Sequence, residues 1–449
     1  MQNLPNKLYS VDAIVQLEQI AISQFGISAY ELMQRAGQSV FDVIQHRYPH
    51  CKKILVLCGA GNNAGDGYVV ARLARQAGYQ VTVISLIDPD HLKEAALQAY
   101  KNWLTVGRNA NTDFSVISEA DVIVDALLGT GLTREVCSQW AECIDAVNQS
   151  SKPVVAVDIP SGLLADTGVV SGVAIQAEIT VCFIGLKQGM FTAQANDVCG
   201  EIVFSDLELP EELYSLVKTD TRLIQKIDYS LLPKRKASSH KGKFGHVLIV
   251  GGNVNMPGAI ILAAKAALRT GAGLVTIVTV AENLQAISAA VPEAMVKICT
   301  INNISDTLTE VFVARITHVA IGMGLGQDEW SLALLRFCVQ LDKPMLIDAD
   351  ALSLLATHDI KVTSSLVITP HPGEASRLLS KTKTVSSADI QADRFAAIKA
   401  IHSLFEESES CVVVLKGSGS LIFDGRVTKV CSLGSAAMAA PGMGDVLSG

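Results

Sequence analysis

Apolar runs rich in valine and isoleucine alternate along this chain with longer segments of mixed polarity. Continuous runs of this kind are typical of parallel strands that are covered on both faces. The segments between them, such as 68–77 and 90–104, are long enough for crossover helices. The order predicts βαβ units and a doubly wound α/β sheet. The predicted strands of the first half are 53–58, 80–87, 121–128, 153–158, 178–184 and 201–204.

A second series of strands is predicted after a stretch, 206–245, that has no strong strand signal. Since a chain of 449 residues exceeds one ordinary core, we place a domain boundary in this stretch. The sequence then predicts two different α/β domains, 1–215 and 216–449. The strands of the second are 247–251, 274–280, 295–299, 318–321, 344–348, 365–369 and 411–415, with a hairpin of 420–423 and 427–430.

Composition excludes several classes of protein. Apolar residues make up 49% of the chain and charged residues 18%, which excludes a disordered chain. The net charge of −8 argues against general nucleic-acid binding, and no apolar run is long enough for a spanning helix. The N-terminal residues have no apolar core of a secretory signal, and the scattered cysteines do not match zinc spacings. We expect a cytoplasmic protein with reduced thiols and no membrane partner.

Polar residues stand at three strand ends of the first half. The first strand runs into a glycine loop, 59–67, that carries Asn62, Asn63 and Asp66. Asp125 ends another strand, and Asp158 and Ser161 end a third. In open α/β sheets ligands bind at such ends, so Asn63, Asp125 and Ser161 are candidate oxygen ligands of a weakly charged cation, and Asp158 is a candidate general base. A tight turn and helix capping are the structural alternatives.

The motifs AsnAsnAlaGlyAspGly (62–67), AspAlaLeuLeuGlyThrGly (125–131) and AspIleProSerGly (158–162) resemble the NAD(P)H-hydrate epimerase domain over roughly residues 1–215. The resemblance implies a Rossmann-like domain that interconverts the R and S epimers of hydrated NADH or NADPH. It implies K⁺ binding by Asn63, Asp125 and Ser161. The family loop usually has glycine where this chain has Ala64. The implied substrate contacts are Asn62, Asn63, Ala64, Gly65, Asp66, Gly129, Thr130, Gly131, Leu132, Thr133, Arg134, Glu135 and Asp158.

The second half repeats the strand–glycine–helix arrangement with different chemistry. Glycine turns follow its strands near residues 251 and 322, His371 lies in a rigid turn between two prolines, and Lys416 opens another glycine loop. The last motif, 441–449, joins a Gly-x-Gly turn to Asp445. Such a turn neutralises phosphoryl oxygens while the carboxylate takes a hydroxyl proton, which suits phosphoryl transfer. We expect the start of a helix to keep the pKa of Asp445 low.

The motifs ThrProHisProGlyGlu (369–374), LeuLysGlySerGly (415–419) and GlyMetGlyAspValLeuSerGly (442–449) resemble the ribokinase-like ADP- or ATP-dependent NAD(P)H-hydrate dehydratases over about residues 225–449. The resemblance implies phosphorylation of the hydrate hydroxyl, loss of phosphate, and Mg²⁺ with the nucleotide. Family members continue past the last motif, so we expect the C-terminal end of this domain to lie beyond Gly449. Asp445 matches the base. The matched ligand positions are Gly444, Lys416, Gly417, Ser418, Gly419 and Ser420 for the nucleotide, and Ala259, Gly324 and His371 for the substrate.

Three other functions remain open on the residues alone. A sugar or vitamin-precursor kinase would share the anion site and the base, but it would release a stable phosphoester. A non-enzymatic ligand- or RNA-binding module is disfavoured by 5% aromatic residues and an acidic chain. A dinucleotide oxidoreductase is disfavoured because Asp88, the nearest strand-end acid, lies 29 residues after Gly59 rather than about 20. We expect a homo-oligomeric enzyme.

Overall fold

The computed structural model describes residues 4–109, 113–225, 230, 232, 234–381 and 384–449. The chain divides into two compact units, Met1–Gln225 and Lys226–Gly449. The boundary predicted at 215/216 lies shortly before this division. No helix in the described part of the chain has both the length and the apolar character needed to cross a bilayer.

Unit 1 is built on a six-stranded sheet of order β3-β2-β4-β5-β6-β8, in which every neighbouring pair is parallel. The strands of unit 1, inside and outside this sheet, are β1 (Lys7–Tyr9), β2 (Lys53–Cys58), β3 (Gln80–Ser85), β4 (Val122–Ala126), β5 (Val154–Val157), β6 (Ile179–Phe183), β7 (Leu186–Lys187), β8 (Glu201–Ser205) and β9 (Thr221–Ile224). Its helices are α1 (Val11–Phe25), α2 (Ala29–Arg47), α3 (Gly61–Gln76), α4 (Glu94–Leu104), α5 (Ser138–Gln149), α6 (Ala195–Val198) and α7 (Leu213–Leu216).

Both faces of this sheet are buried, as the continuous apolar runs predict. In β2, Ile54, Val56 and Cys58 belong to a core that also contains residues of α2, α3 and α4, whereas Leu55 and Leu57 belong to a second core with α5. Side chains alternate between faces along a strand, so a strand buried on both sides has no polar alternation. The doubly wound architecture predicted for this half is confirmed.

Three short strands of unit 1 were not predicted. β1 pairs with β7 in parallel and with β9 in antiparallel orientation. Strands of two to four residues are too short to produce a readable alternation. The stretch 206–245, which has no strong strand signal, contains the four-residue strand β9.

Unit 2 contains a sheet of order β12-β11-β10-β13-β14-β15-β16-β17-β18. It is parallel through β16 and closes with an antiparallel hairpin, as predicted. Its strands are β10 (His246–Val250), β11 (Leu274–Thr279), β12 (Met295–Ile298), β13 (His318–Ile321), β14 (Met345–Ile347), β15 (Leu366–Ile368), β16 (Cys411–Leu415), β17 (Ser420–Phe423) and β18 (Thr428–Cys431). Its helices are α8 (Pro257–Thr270), α9 (Leu284–Ala290), α10 (Ile304–Thr307), α11 (Glu310–Val313), α12 (Glu329–Val339), α13 (Ala349–Thr357), α14 (Pro372–Leu379), α15 (Ser387–Ala392), α16 (Arg394–Ser403) and α17 (Met443–Ser448).

Candidate active sites

Unit 1 has a cavity of about 640 Å³ at the carboxyl ends of its parallel strands. The strand order reverses between β2 and β4, and the loops that follow these two strands form part of the wall. Open α/β sheets bind ligands at such a point. The predicted substrate residues on the wall are Asn62, Asn63, Asp66, Gly129, Thr130, Gly131, Leu132, Thr133, Arg134 and Asp158. Three other predicted substrate residues, Ala64, Gly65 and Glu135, are described by the structure but do not line this cavity.

Asp158 and Lys187 form an ion pair in this wall. Asp158 follows β5 in the left-handed region, with φ of 66°, and its carboxylate accepts hydrogen bonds from the Lys187 ammonium and from the Phe183 N–H at 3.0 Å. Lys187 is fully buried and also donates to the Phe183 carbonyl at 3.1 Å. Burial is the largest single effect and lowers the pKa of Lys187, but the charge of Asp158, the Cys182 side chain and the hydrogen bonds to both groups together outweigh it and raise this pKa. The pair therefore presents a proton donor and a proton acceptor to the cavity.

Two further carboxyl groups, Asp66 and Glu18, line the same cavity. Asp66 is only 9% exposed, and burial raises its pKa well above the ordinary value, with the charges of Asp158 and Glu18 adding to the effect. The pKa of Glu18 is raised by burial and then by Asp158. Because like charges in a poorly solvated cavity disfavour ionisation, the site favours the protonated form of Asp66.

Asp125 and Ser161 meet in a fully buried cluster of oxygen atoms. The Ser161 hydroxyl donates to Asp125 Oδ1 at 2.6 Å and lies 3.2 Å from the Leu128 carbonyl oxygen. The Ser161 N–H donates to Asp125 Oδ2 at 2.8 Å. Burial raises the pKa of Asp125 to about 6, although these hydrogen bonds oppose the shift. Strand ends far apart in sequence thus bring two of the three predicted cation ligands together.

The third predicted cation ligand, Asn63, is 7% exposed, and its Nδ2 atom has no hydrogen-bond partner among the described residues. It lies against the loop that follows β4, because a Cβ built on Gly129 would be 3.2 Å from Asn63 Cβ. The nitrogen and oxygen of an amide are assigned from their partners, so the same side chain turned over would place an oxygen where the nitrogen is unpaired. One carboxylate with amide, hydroxyl and carbonyl oxygens is a donor set that fits K⁺.

In unit 2, Lys416, Asp348 and α17 are connected by hydrogen bonds. Lys416, directly after β16, donates from Nζ to Asp348 Oδ1 at 2.7 Å and lies 3.7 Å from Glu374 Oε2. Asp348, directly after β14, is 1% exposed and accepts from the Ser448 hydroxyl of α17 at 2.7 Å. The Lys416 ammonium group is thereby held between the carboxylates of Asp348 and Glu374.

Asp445 lies in the first turn of α17, which begins after Gly442 in the left-handed conformation, with φ of 84°. Asp445 is half-buried, and burial raises its pKa, followed by the charge of Asp348, while Lys416 lowers it. The expectation of a low pKa is therefore wrong, because burial and a neighbouring carboxylate outweigh the helix start. Lys416 is also close to Gly444, since a Cβ built there would lie 3.4 Å from Lys416 Nζ.

The remaining predicted residues of unit 2 fall into three places. Gly417, Ser418 and Gly419 form the turn after β16, and Ser420 begins β17. Ala259 and Gly324 are neighbours, since a Cβ built on Gly324 would lie 3.1 Å from Ala259 Cβ. His371 caps α14: its ring Nδ1 accepts from the Gly373 backbone N–H at 2.9 Å. The backbone N–H of His371 donates to Glu374 Oε2 at 2.8 Å. Glu374 thus stands between His371 and Lys416.

Sequence reasoning missed Lys187, Glu18 and Glu374 as site residues. Lys187 lies in a two-residue strand, and a fully buried lysine has no pattern of its own. Glu18 lies on α1, far from every glycine motif in the sequence. From the sequence, Glu374 could be recognised only as the third residue of a helix with a capping box, which indicates a structural role.

Two protein families match successive parts of this chain. Residues 29–189 match the family described as YjeF-related protein N-terminus, and residues 247–449 match NAD(P)H-hydrate dehydratase. The bifunctional NAD(P)H-hydrate repair enzyme Nnr of Coxiella burnetii is 43% identical over 446 residues, covering 98% of this chain and 88% of that protein. The enzyme of the same name from Escherichia coli K12 is 42% identical over 450 residues, covering 100% and 84%. Among solved structures, an ADP/ATP-dependent NAD(P)H-hydrate dehydratase from Bacillus subtilis, co-crystallized with ATP and Mg²⁺, is 30% identical with a TM-score of 0.41, covering 48% of this chain and 74% of that one.

Proposed function

The chain belongs to the family of bifunctional NAD(P)H-hydrate repair enzymes, and on that premise we propose a division of labour between its two units. Unit 1 interconverts the R and S epimers of hydrated NADH and NADPH. Unit 2 uses ADP or ATP to dehydrate the S epimer, releasing NADH or NADPH, phosphate, and AMP or ADP. The observation that carries the proposal is the Asp158–Lys187 ion pair in the wall of the unit 1 cavity, beside the loops after β2 and β4.

Epimerisation inverts one hydroxyl-bearing carbon, so a bond to that carbon must break and form again on the opposite face. The reaction needs a group that gives a proton to the departing oxygen and a group that takes one from the oxygen that returns. Asp158 acts as the acceptor, and Lys187 holds its carboxylate in place. Asp66, whose pKa is raised by burial, acts as the donor. The first turn of α3 has no side-chain cap, so its free N–H groups face the anionic part of the dinucleotide.

Dehydration begins with transfer of a phosphoryl group to the hydrate hydroxyl. Asp445 accepts the hydroxyl proton, and its raised pKa makes it a stronger base than an ordinary carboxylate. Lys416 and the amide groups of Gly417 to Gly419 bind the phosphates of the nucleotide. The C–O bond of the phosphoester then breaks, and inorganic phosphate leaves with the former hydroxyl oxygen. The adjacent ring carbon loses a proton to water, and the electron pair of that C–H bond forms the double bond of the nicotinamide ring.

Two cations accompany these sites in our proposal. K⁺ fits Asn63, Asp125 and Ser161, where it would fix the loops after β2 and β4 against each other and supply positive charge near the substrate phosphates. In unit 2, Mg²⁺ would accompany the nucleotide and neutralise charge on its phosphates.

The proposed function is tested with a mixture of the two NADPH-hydrate epimers, ADP or ATP with Mg²⁺, and the full chain. The near-ultraviolet absorbance of reduced nicotinamide should return completely, and phosphate should be released in equal amount. Recovery limited to the S share would contradict the epimerase, and a stable phosphoester without recovery would favour the kinase alternative. Replacing K⁺ with choline in the same assay should slow conversion of the R share.

A further inference from the structure

Arg394 is the largest charged side chain fully buried in unit 2, with 0% exposure. It is the first residue of α16, and Asp393 caps this helix by accepting from the Ala396 N–H at 2.8 Å. Burial lowers the pKa of Arg394 to about 10. Removing a charged group from water is costly unless hydrogen bonds compensate, so the partners of this guanidinium explain why it is buried there.

Those partners lie at the start of the proposed nucleotide loop. Arg394 Nη2 donates to the Leu415 carbonyl at 3.1 Å and to the Lys416 carbonyl at 3.3 Å. Nη1 donates to Gln391 Oε1 at 2.7 Å, so both terminal nitrogens of the guanidinium are hydrogen-bonded. One side chain therefore fixes two successive peptide groups where β16 ends.

The direction of these carbonyls determines the direction of the next amide. In a trans peptide the C=O of one residue and the N–H of the next point in opposite directions. Because the Lys416 carbonyl points to Arg394, the Gly417 N–H points away from it, towards the exposed side of the loop. Gly417 has φ of +145°, and a Cβ there would lie only 2.7 Å from Arg394 Nη1, so the loop and the arginine fit each other closely.

We propose that Arg394 is the positioning residue of the nucleotide site, which sets the Gly417 amide towards the phosphates of ADP or ATP. It does not contact the nucleotide. The inference rests on the proposed role of residues 416–420 in nucleotide binding. A lysine at position 394 would keep the charge, but it would lack the planar fork that bonds two carbonyls and Gln391 together.

The test compares Arg394→Lys and Arg394→Met with Arg377→Lys and Arg377→Met in the full chain. Arg377 is an exposed arginine of α14, so its variants control for the change in charge. Dissociation constants for ADP–Mg²⁺ and ATP–Mg²⁺ are measured by calorimetry. Loss of a charge-assisted hydrogen bond predicts nucleotide binding weaker by about tenfold in Arg394→Lys, and weaker still in Arg394→Met. Both Arg377 variants should bind as the unmodified chain does.

Steady-state dehydration supplies the readout that a purely structural role would not change. Arg394→Lys should raise the KM for nucleotide while the KM for the hydrate and the epimerisation rate of unit 1 stay within twofold. Unchanged nucleotide affinity in a folded Arg394→Lys protein overturns the inference, as does an equal rise of both KM values. If Arg394→Met fails to fold, Arg394→Lys decides the question. Absence of nucleotide binding in the unmodified chain would instead contradict the proposed function.

Discussion

At the scale of single residues, the unit 1 cavity combines groups that oppose one another electrostatically. Asp66, Asp158 and Glu18 are carboxyl groups in one wall, and among the described residues the ion pair of Lys187 is with Asp158. Burial of a charge that has no partner of its own destabilises the fold. Asp66 is therefore a position at which catalysis and stability have opposite requirements.

Asp66→Asn should make the protein more stable at alkaline pH and less active as an epimerase. The pKa of Asp66 is raised in the folded protein, so the folded state binds this proton more tightly than the unfolded chain does. The stabilisation it provides is complete below the unfolded pKa of about 3.9 and is lost as the pH rises through the folded pKa. Asparagine cannot ionise and avoids this loss. The melting temperature of the variant should exceed that of the unmodified chain at pH 8, and the gap should narrow towards pH 4; a gap independent of pH would contradict the prediction.

Strand-end residues were readable from the sequence, whereas their electrostatics were not. The predicted residues lie at or just after strand ends, and such positions share one sheet edge in any parallel fold. They are Asn63, Asp125, Asp158 and Ser161. The pKa of Asp445 was expected to be low from its local helix, but burial and Asp348, which lies almost a hundred residues earlier, raise it. Sequence shows local partners, while a pKa depends on partners that only the folded chain brings near.

At the scale of elements, α3 shows why neighbouring small residues are not equivalent. Ala64 and Gly65 are both buried in its first two turns. The chain at position 64 is helical, so alanine is accommodated where the family usually has glycine. At Gly65 there is no room, because a Cβ would lie 2.5 Å from Met33 Cε of α2 and 2.9 Å from Ala96 Cα of α4. Glycine at 65 is what allows three helices to approach.

Gly65→Ala should destabilise unit 1 more than Ala64→Gly does. The added methyl group forces α3 away from α2 and α4, at a cost of about 1–3 kcal/mol for overpacking. Ala64→Gly loses helix propensity, at about 0.5–1 kcal/mol, and one buried methyl group, at about 0.8 kcal/mol. Urea denaturation of the full chain, with the free energy of unfolding compared among the three proteins, measures both. Equal losses would show that Met33 and Ala96 move aside readily.

Like the pKa values, element boundaries could be predicted where the signal is local, but not where it depends on residues distant in the sequence. The long parallel strands were predicted nearly residue by residue, because burial on both faces leaves an uninterrupted apolar run. The strands β1, β7 and β9 were missed, since their pairing joins residues 7–9 to 186–187 and to 221–222. Nothing within such a short segment indicates a partner about two hundred residues away.

At the scale of the whole molecule, the two units have separate hydrophobic cores. Each proposed site is assembled from residues of its own unit: the Asp158–Lys187 pair in unit 1, and Asp445 with Lys416 in unit 2. If the S epimer formed from the R epimer is released from unit 1, the two reactions need no shared side chain. Losing one proposed base should then leave the other reaction intact.

Asp158→Asn and Asp445→Asn should divide the overall repair reaction into its two parts. With an epimer mixture and nucleotide, Asp158→Asn should restore the absorbance of the S share at the normal rate and then nearly stop. Asp445→Asn should dehydrate either share slower by about 10²–10⁴-fold, the usual contribution of a general base, while still interconverting the epimers. Asparagine keeps the shape of each side chain, so nucleotide affinity and melting temperature serve as controls for folding.

An equimolar mixture of the two variants should restore complete recovery, because the epimer made by one protein diffuses to the other. Loss of dehydration in a folded Asp158→Asn protein would show that the two sites depend on each other. Recovery at the full rate by Asp445→Asn would assign the base to another residue, and the candidates are Asp348 and Asp350, whose charges act on Asp445.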